Sequence, residues 1–334
     1  MNAMPVEPRW ALAALRDAAR VTRVVQQRLG TRAVTKADRS PVTAADFAAQ
    51  AVVSAWLMTY DPDTPLLAEE DLATWRTIPN EVRAWVLQAV HLVRPKARWD
   101  DVEAWLAHNR GVAHARMWVL DPVDGTKGFL RGAHYAVALA LIDQGRIQWA
   151  GLACPRLAPE ALLGESDPAR VSDMGVLAVA APGVGAWWSP LISEENWRRL
   201  RVSSVANPAQ ARVLRSFEAA HTHEEQIDAL MHVLGVHRPP VRLDSQAKYA
   251  LLAAGAAEIY LRIPPPQRPD YKEKIWDQAA GALLVIEAGG RVTDLDGRAL
   301  DFSQGLTLAR NRGVLATNGL LHEPVLMALR RVVG

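Results

Sequence analysis

Residues 118–132 read Trp-Val-Leu-Asp-Pro-Val-Asp-Gly-Thr-Lys-Gly-Phe-Leu-Arg-Gly, and the rest of the chain is best read outward from them. An apolar strand ends at Asp121. Pro122 fixes the backbone and Asp124-Gly125 permits a sharp turn. Thr126 and Lys127 then open the next segment with backbone N–H groups that no helix has yet used. Carboxylates and amide donors therefore converge just beyond a strand, a grouping suited to a cation and a phosphate. Hard oxygen ligands fit Mg²⁺, which completes its octahedron with water and substrate phosphate more readily than with protein alone. An isolated Asp-Gly pair is ordinarily only a turn, so the reading depends on partners elsewhere.

Two such partners are present. Leu66-Leu67-Ala68-Glu69-Glu70-Asp71 is a short apolar run closing in three consecutive acids, a costly arrangement unless a cation or solvent screens it. Far downstream, Ile275-Trp276-Asp277-Gln278 places Asp277 just before an apolar helix expected over residues 279–288, which stops at Gly289-Gly290. Asp277 is open to two readings, helix N-cap or metal ligand, and one carboxylate can serve both.

Taken together and in this order, the acids of L-A-E-E-D, the stretch D-P-V-D-G-T-K-G-F-L-R-G, and K-I-W-D-Q-A-A-G with E-A-G-G resemble the magnesium-dependent, lithium-sensitive phosphatases of the inositol monophosphatase superfamily. Within it, Lys36-Ala37-Asp38-Arg39-Ser40-Pro41-Val42-Thr43-Ala44-Ala45-Asp46, the T-K-G-F-L-R-G extension and Leu243-Asp244-Ser245-Gln246-Ala247-Lys248-Tyr249 look like the 3'(2'),5'-bisphosphate nucleotidases. The resemblance runs from about Lys36 to Gly319. It implies a layered αβαβα sandwich, and removal of the 3'-phosphate from adenosine 3',5'-bisphosphate and from its 5'-phosphosulfate parent, a by-product and an intermediate of sulfate activation.

It also implies a ligand set. Glu69, Asp121 and the Val123 carbonyl would hold one Mg²⁺, and Asp121, Asp124 and Asp277 a second, with two or three ions in all. Asp46 and Thr126 would form the base relay that orients water, although Thr43-Ala44-Ala45-Asp46 read alone is a helix start. Backbone N–H groups of Gly125 and Thr126 would cradle the phosphate. Ser245, Lys248 and Arg262 would bind the nucleotide, with His221 of His221-Thr222-His223 preferred over His223 as a further contact. The rival reading of these histidines as a zinc site lacks further ligands nearby. The chain departs from the family pattern at Ala68 and Asp71, commonly glycine and serine; the departure is expected to crowd the backbone and to add charge beside the metals. Related readings are an inositol-phosphate 1-phosphatase and a sensor that binds the nucleotide without turnover.

Composition agrees with a soluble enzyme without selecting one. The chain has 334 residues, half of them hydrophobic, enough for a large core. Its 38 basic and 36 acidic residues leave a net charge of +2, with no polyanion footprint, so a nucleic-acid polymer is not an expected partner. The single cysteine, Cys154, has no intrachain partner and reads as a small buried hydrophobe, consistent with a reducing cytoplasm. Charged residues such as Arg9, Arg16, Asp17, Arg20 and Arg23 break every apolar run near the start, and no stretch is suited to span a membrane. A monomer in the cytoplasm is the expectation.

The pattern is mixed α/β. Helices are expected over residues 10–29, 44–59, 81–93, 101–108, 224–234 and 245–254. Strands are expected over residues 136–142, 147–153, 176–181 and 185–188, forming an antiparallel sheet, and over 213–216, 241–243 and 258–262. Two domains follow: residues 1–200, α+β with most metal ligands, and 201–334, α/β with the nucleotide contacts and the last ligand. Gly183-Val184-Gly185 reads as a hairpin turn rather than a dinucleotide fingerprint. Asp294-Leu295-Asp296-Gly297 lacks the distal glutamate of a calcium loop and reads as a turn. The twelve tryptophans are scattered and read as packing.

Overall fold

The computed structural model describes residues 6–29, 34–35, 41–193, 195–217 and 223–332. Helix α1 (Arg9–Val24) buries Leu12, Leu15, Ala18 and Ala19 on one face and runs on as a π-helical turn, Val25–Leu29, so the expected helix over 10–29 is divided. Strands β1 (Val34–Thr35) and β2 (Pro41–Val42) pair antiparallel ahead of α2 (Ala44–Tyr60). Helix α2 is buried almost all round, which its alanine-rich sequence allows.

Strand β3 (Leu66–Ala68) leads through α3 (Leu72–Thr77), α4 (Asn80–Val90) and α5 (Trp99–Leu106) to β4 (Arg116–Asp124). A short α6 (Thr126–Leu130) follows, then β5 (Ala136–Asp143), β6 (Arg146–Cys154), α7 (Pro159–Leu162), β7 (Val176–Ala181), β8 (Gly185–Pro190) and β9 (Arg198–Arg199). These strands make a seven-stranded sheet in the order β3-β4-β5-β6-β7-β8-β9, parallel at β3/β4 and antiparallel elsewhere. Gly183 and Gly185 lie at the β7–β8 hairpin, as their sequence suggests.

The later half holds β10 (Val213–Arg215), α8 (Glu224–Leu234), β11 (Val241–Arg242), α9 (Ala247–Ala253), β12 (Ile259–Arg262), α10 (Ala279–Glu287), β13 (Arg291–Thr293), β14 (Val314–Thr317) and α11 (His322–Val332). Its five-stranded sheet runs β11-β10-β12-β14-β13, with β10 parallel to both β11 and β12. Asp294 does make a turn: its Oδ1 accepts the N–H groups of Asp296 and Arg298.

Alternation along the strands sets the layers. In β5, Val137, Leu139 and Leu141 face α1 and α2, whereas Ala136, Ala138 and Ala140 face α9 and α10. The alanine face lets those two helices sit close, and they in turn cover the smaller sheet through Leu214, Tyr260, Val314 and Ala316. Helices α8 and α11 close the far side with Ile227, Leu230, Val325, Leu326 and Leu329. The result is α1/α2, sheet, α9/α10, sheet, α8/α11, the layered αβαβα sandwich expected. The central core draws residues from both sides of position 200, and its closest approach is at Gly281 of α10, where a Cβ would lie 2.0 Å from the Tyr249 ring.

Candidate active site

The deciding local feature is a bulge. Asp121 pairs with Ala138 and Asp124 with Ala136, so three steps along β4 match two along β5. In a regular strand, residues three apart point to opposite faces; one extra residue restores the parity and puts both carboxylates on the same face. Asp121 therefore does not end the strand before a tight turn, as its sequence suggests; β4 continues through the bulge to Asp124. The Val123 amide donates to Asp121 Oδ1 at 3.1 Å, which holds the irregular step.

Glu69 joins from the side. Ala68 of β3 is level with Leu120 of β4, and the Glu69 amide donates to the Leu120 carbonyl at 3.1 Å. Ala68 and Leu120 both face α1 and α2, so the next positions, Glu69 and Asp121, turn to the opposite face, toward α9 and α10. Asp277 precedes α10 on that side. The N-cap position of α10 is Gln278 rather than Asp277, so the capping reading of Asp277 is not realised. Asp71, expected to add charge beside the metals, is instead the exposed N-cap of α3, accepting the Thr74 amide at 2.6 Å. Ala68 is buried without displacing its backbone from β3.

Asp46 lies in the first turn of α2, almost wholly buried, and its Oδ2 accepts the Thr43 amide at 2.8 Å and the Thr43 hydroxyl at 2.7 Å. The helix-start reading is thus correct, and the same capping box holds this carboxylate rigidly. The Thr126 hydroxyl donates to the Val123 carbonyl at 3.2 Å. Gly125, with φ +86°, makes the turn between them and abuts Ser245, whose Cβ would lie 2.9 Å from a Cβ on that glycine.

Ser245 itself has φ +71°, so α9 starts at Ala247 and not at Ser245; the serine hydroxyl accepts the Ala247 amide at 3.2 Å. The Gln246 amide donates to Asp124 Oδ2, its Nε2 reaches the Trp276 carbonyl at 2.9 Å, and its Oε1 accepts the Gly281 amide at 3.1 Å. Gln246 thereby ties Asp124 to the segment bearing Asp277, a role its sequence position did not signal. Arg131 pairs with Asp244 in the same suture. Lys248 is buried, with Nζ donating to the Leu243 carbonyl at 3.1 Å. Arg262 pairs with buried Glu273 at 2.9 Å. His221, like Lys36 to Ser40, lies outside the described residues; the His223 amide donates to the Ile263 carbonyl at 3.2 Å.

These groups share one electrostatic field. Burial, then the charges of Glu69, Asp124, Asp277 and Asp46, push the Asp121 carboxyl well above the ordinary carboxylate range. Burial, then Asp124, does the same to Asp277. Burial also raises Asp124, opposed by Lys248, the Gln246 amide and Arg262. Asp124 and Asp277 keep part of their surface exposed, yet losing water on the other sides is still the largest influence. Burial pulls the Lys248 ammonium down to about 8 against the pull of Asp124. Among the described residues no three His, Cys, Asp or Glu side chains already close on one point as ligands. Coulomb coupling reaches beyond ligand distance, so the acids share one field. Oxygen donors of like charge on one face fit a divalent cation, which would offset the burial and the repulsion that otherwise make them hold protons.

The chain matches the family model described as the inositol monophosphatase family over residues 9–333. It is 38% identical over 322 residues to a 3'(2'),5'-bisphosphate nucleotidase of Emericella nidulans, covering 90% of each chain. Against 3'(2'),5'-bisphosphate nucleotidase 1 of Arabidopsis thaliana it is 40% identical over 328 residues, covering 94% of this chain and 92% of the relative. Among solved structures, the Thermotoga maritima IMPase matches with a TM-score of 0.65 and 20% identity, covering 97% of both chains, a likeness of fold.

Proposed function

The chain belongs to the inositol monophosphatase family, and from that premise we propose that it is a phosphomonoesterase that removes the 3'-phosphate of adenosine 3',5'-bisphosphate to give AMP and phosphate. The observation that carries the chemistry is the β4 bulge, which turns Asp121 and Asp124 to one face beside Glu69. The nucleotide specificity rests on the relatives, which are named as bisphosphate nucleotidases over nine-tenths of this chain or more. Action on the 5'-phosphosulfate analogue belongs to the same reading.

Glu69, Asp121, the Val123 carbonyl, Asp124 and Asp277 are the proposed holders of Mg²⁺, in two or three ions. Mg²⁺ bound there supplies charge neutralisation for the phosphoryl oxygens, a lowered pKa for the attacking water and polarisation of the leaving oxygen. The chain supplies the proton path. The Thr126 hydroxyl turns from Val123 toward Asp46, accepts a proton from water and passes its own to that carboxylate, which Thr43 keeps in place. The new O–P bond forms as the bond from phosphorus to the ribose 3'-oxygen breaks; that oxygen takes a proton from solvent water, and Asp46 returns its own to solvent. Amides of Gly125 and Thr126 face the phosphate. Ser245, Lys248 and Arg262 are the proposed nucleotide side, with Lys248 acting as a buried cation behind it and His221 as a further contact.

No helix among the described residues is long and apolar enough to cross a membrane. A monomer in the cytoplasm, acting on a free nucleotide, completes the proposal, as does a division into units at 1–200 and 201–334. The test is phosphate release, with Mg²⁺ and with or without Li⁺, from adenosine 3',5'-bisphosphate, inositol 1,4-bisphosphate and inositol 1-phosphate. Preference for the nucleotide is expected. Preference for an inositol phosphate would overturn the substrate, and binding of the nucleotide with no release from any substrate would make the chain a sensor.

A further inference from the structure

The residue before Glu69 and the residue after it are both gripped by side-chain amides from outside the strand. Gln50 of α2, fully buried, donates from Nε2 to the Glu70 carbonyl at 2.7 Å and accepts the Glu70 amide on Oε1 at 3.1 Å. Asn109 donates from Nδ2 to the carbonyls of Ala68 at 3.0 Å and Glu70 at 2.7 Å, and accepts the Ala68 amide on Oδ1 at 3.2 Å. The Glu69 amide itself is taken by Leu120. Strand β3 is the outermost strand of its sheet, so beyond Ala68 these two amides occupy the place of a neighbouring strand. Without them, the Ala68 and Glu70 peptide groups would seek water and the strand end would fray.

We infer that Gln50 and Asn109 are positioning residues that set where the Glu69 carboxylate stands, and that Gln50 ties that position to Asp46. The second half follows from spacing: Gln50 is four residues after Asp46, on the same face of α2. One helix therefore places the proposed base directly and the proposed metal ligand through its neighbour's backbone. The inference rests on the reading of Glu69 as a metal ligand. Mg²⁺ requires near-ideal octahedral geometry at about 2.0–2.1 Å, so a carboxylate adrift by an ångström loses the ion before it loses the fold. Outer partners of metal ligands affect affinity by about 10–100-fold, and that is the change expected here.

The experiment is a calorimetric Mg²⁺ titration without substrate, on the wild type, Asn109→Ala and Gln50→Met, with thermal unfolding in EDTA alongside. Both variants should bind Mg²⁺ about 10–100-fold more weakly; Gln50→Met, which strips the buried Glu70 amide of its acceptor, should also lower metal-free melting, and Asn109→Ala should lower it less. In turnover, half-saturating Mg²⁺ should rise in parallel, with kcat recovered at saturating Mg²⁺. Gln50 is in the core, so if Gln50→Met fails to fold, Asn109→Ala decides alone. Unchanged Mg²⁺ affinity in Asn109→Ala, or lost kcat that excess Mg²⁺ does not restore, would overturn the inference. A wild type that binds no Mg²⁺ would overturn it together with the metal reading. A wild type that binds Mg²⁺ and loses affinity in the variants, yet hydrolyses no nucleotide, would support the clamp and sink only the proposed substrate.

Discussion

The Asp124 carboxylate accepts the backbone N–H of Gln246, 122 residues further along the chain. This bond joins the end of β4 to the start of α9, and the Gln246 side chain carries the connection on to Trp276 beside Asp277. Two proposed metal ligands from distant parts of the chain are thus held by one residue that is not itself a ligand.

Asp124→Asn keeps an acceptor for the Gln246 amide but removes a charge from the acid cluster. Turnover should fall about a thousandfold or more, the loss of roughly 4 kcal/mol of transition-state stabilisation. Melting in excess EDTA should stay level or rise, because a charge that burial disfavours is removed. A variant that unfolds in EDTA while the wild type remains folded would make Asp124 structural.

The Mg²⁺-induced rise in melting temperature should be largest near neutral pH and should shrink as pH falls. The Asp121, Asp124 and Asp277 carboxyls are raised above their unfolded values, near ~3.9. In the metal-free fold, protonation removes charges that burial disfavours and relieves the repulsion among them, so stability from these groups is gained as pH falls through the raised values toward the unfolded one. Bound Mg²⁺ needs them ionised and competes with those protons. Comparing melting in EDTA and in saturating Mg²⁺ from pH 7.5 to pH 5.5 cancels histidines that titrate in both. An increment independent of pH would show that the cation binds elsewhere.

Gly125→Ala should destabilise the fold. The position has φ +86°, costing an L residue about 1–2 kcal/mol, and the added methyl would sit 2.9 Å from the Ser245 Cβ. Urea unfolding should show at least that loss. Activity should fall further than stability, because the displaced loop carries Thr126. Unchanged activity would remove this turn from the site.

Arg262→Met should cost about 3 kcal/mol by leaving Glu273, 3% exposed, without its cation. Replacing Glu273 by Met in the same background should recover much of that loss in urea unfolding, whereas a nucleotide KM raised by Arg262→Met should stay raised. Recovery of KM with stability would limit Arg262 to a structural role.

The acids were legible one by one because each stands in an uncommon local pattern: three acids closing a strand, Asp-Pro-Val-Asp-Gly after another, Asp before an apolar helix. The main helices and sheet strands were legible through hydrophobic period. Residues 245–254 misled by two positions, since the left-handed backbone at Ser245 leaves no local mark on a serine. Helix α11 carried an apolar stripe, Val325, Leu326, Ala328 and Leu329, that a reading led by motifs passes over. Gln50 and Asn109 had no signal at all. A buried amide in a helix and an asparagine in a loop look ordinary until the backbone they bind is in place.

By itself, the sequence determined the kinds of group available, their order and the secondary structure that carries them, because these depend on residues within a turn or a strand of one another. Only the tertiary structure decided that Asp121 and Asp124 share a face, since that parity is set by pairing with Ala136 and Ala138 across β5. It alone decided that Asp71 caps a helix with its side chain exposed and that Lys248 is buried against the Leu243 carbonyl. Register, burial and field are properties of chain segments brought together, and no local pattern encodes them.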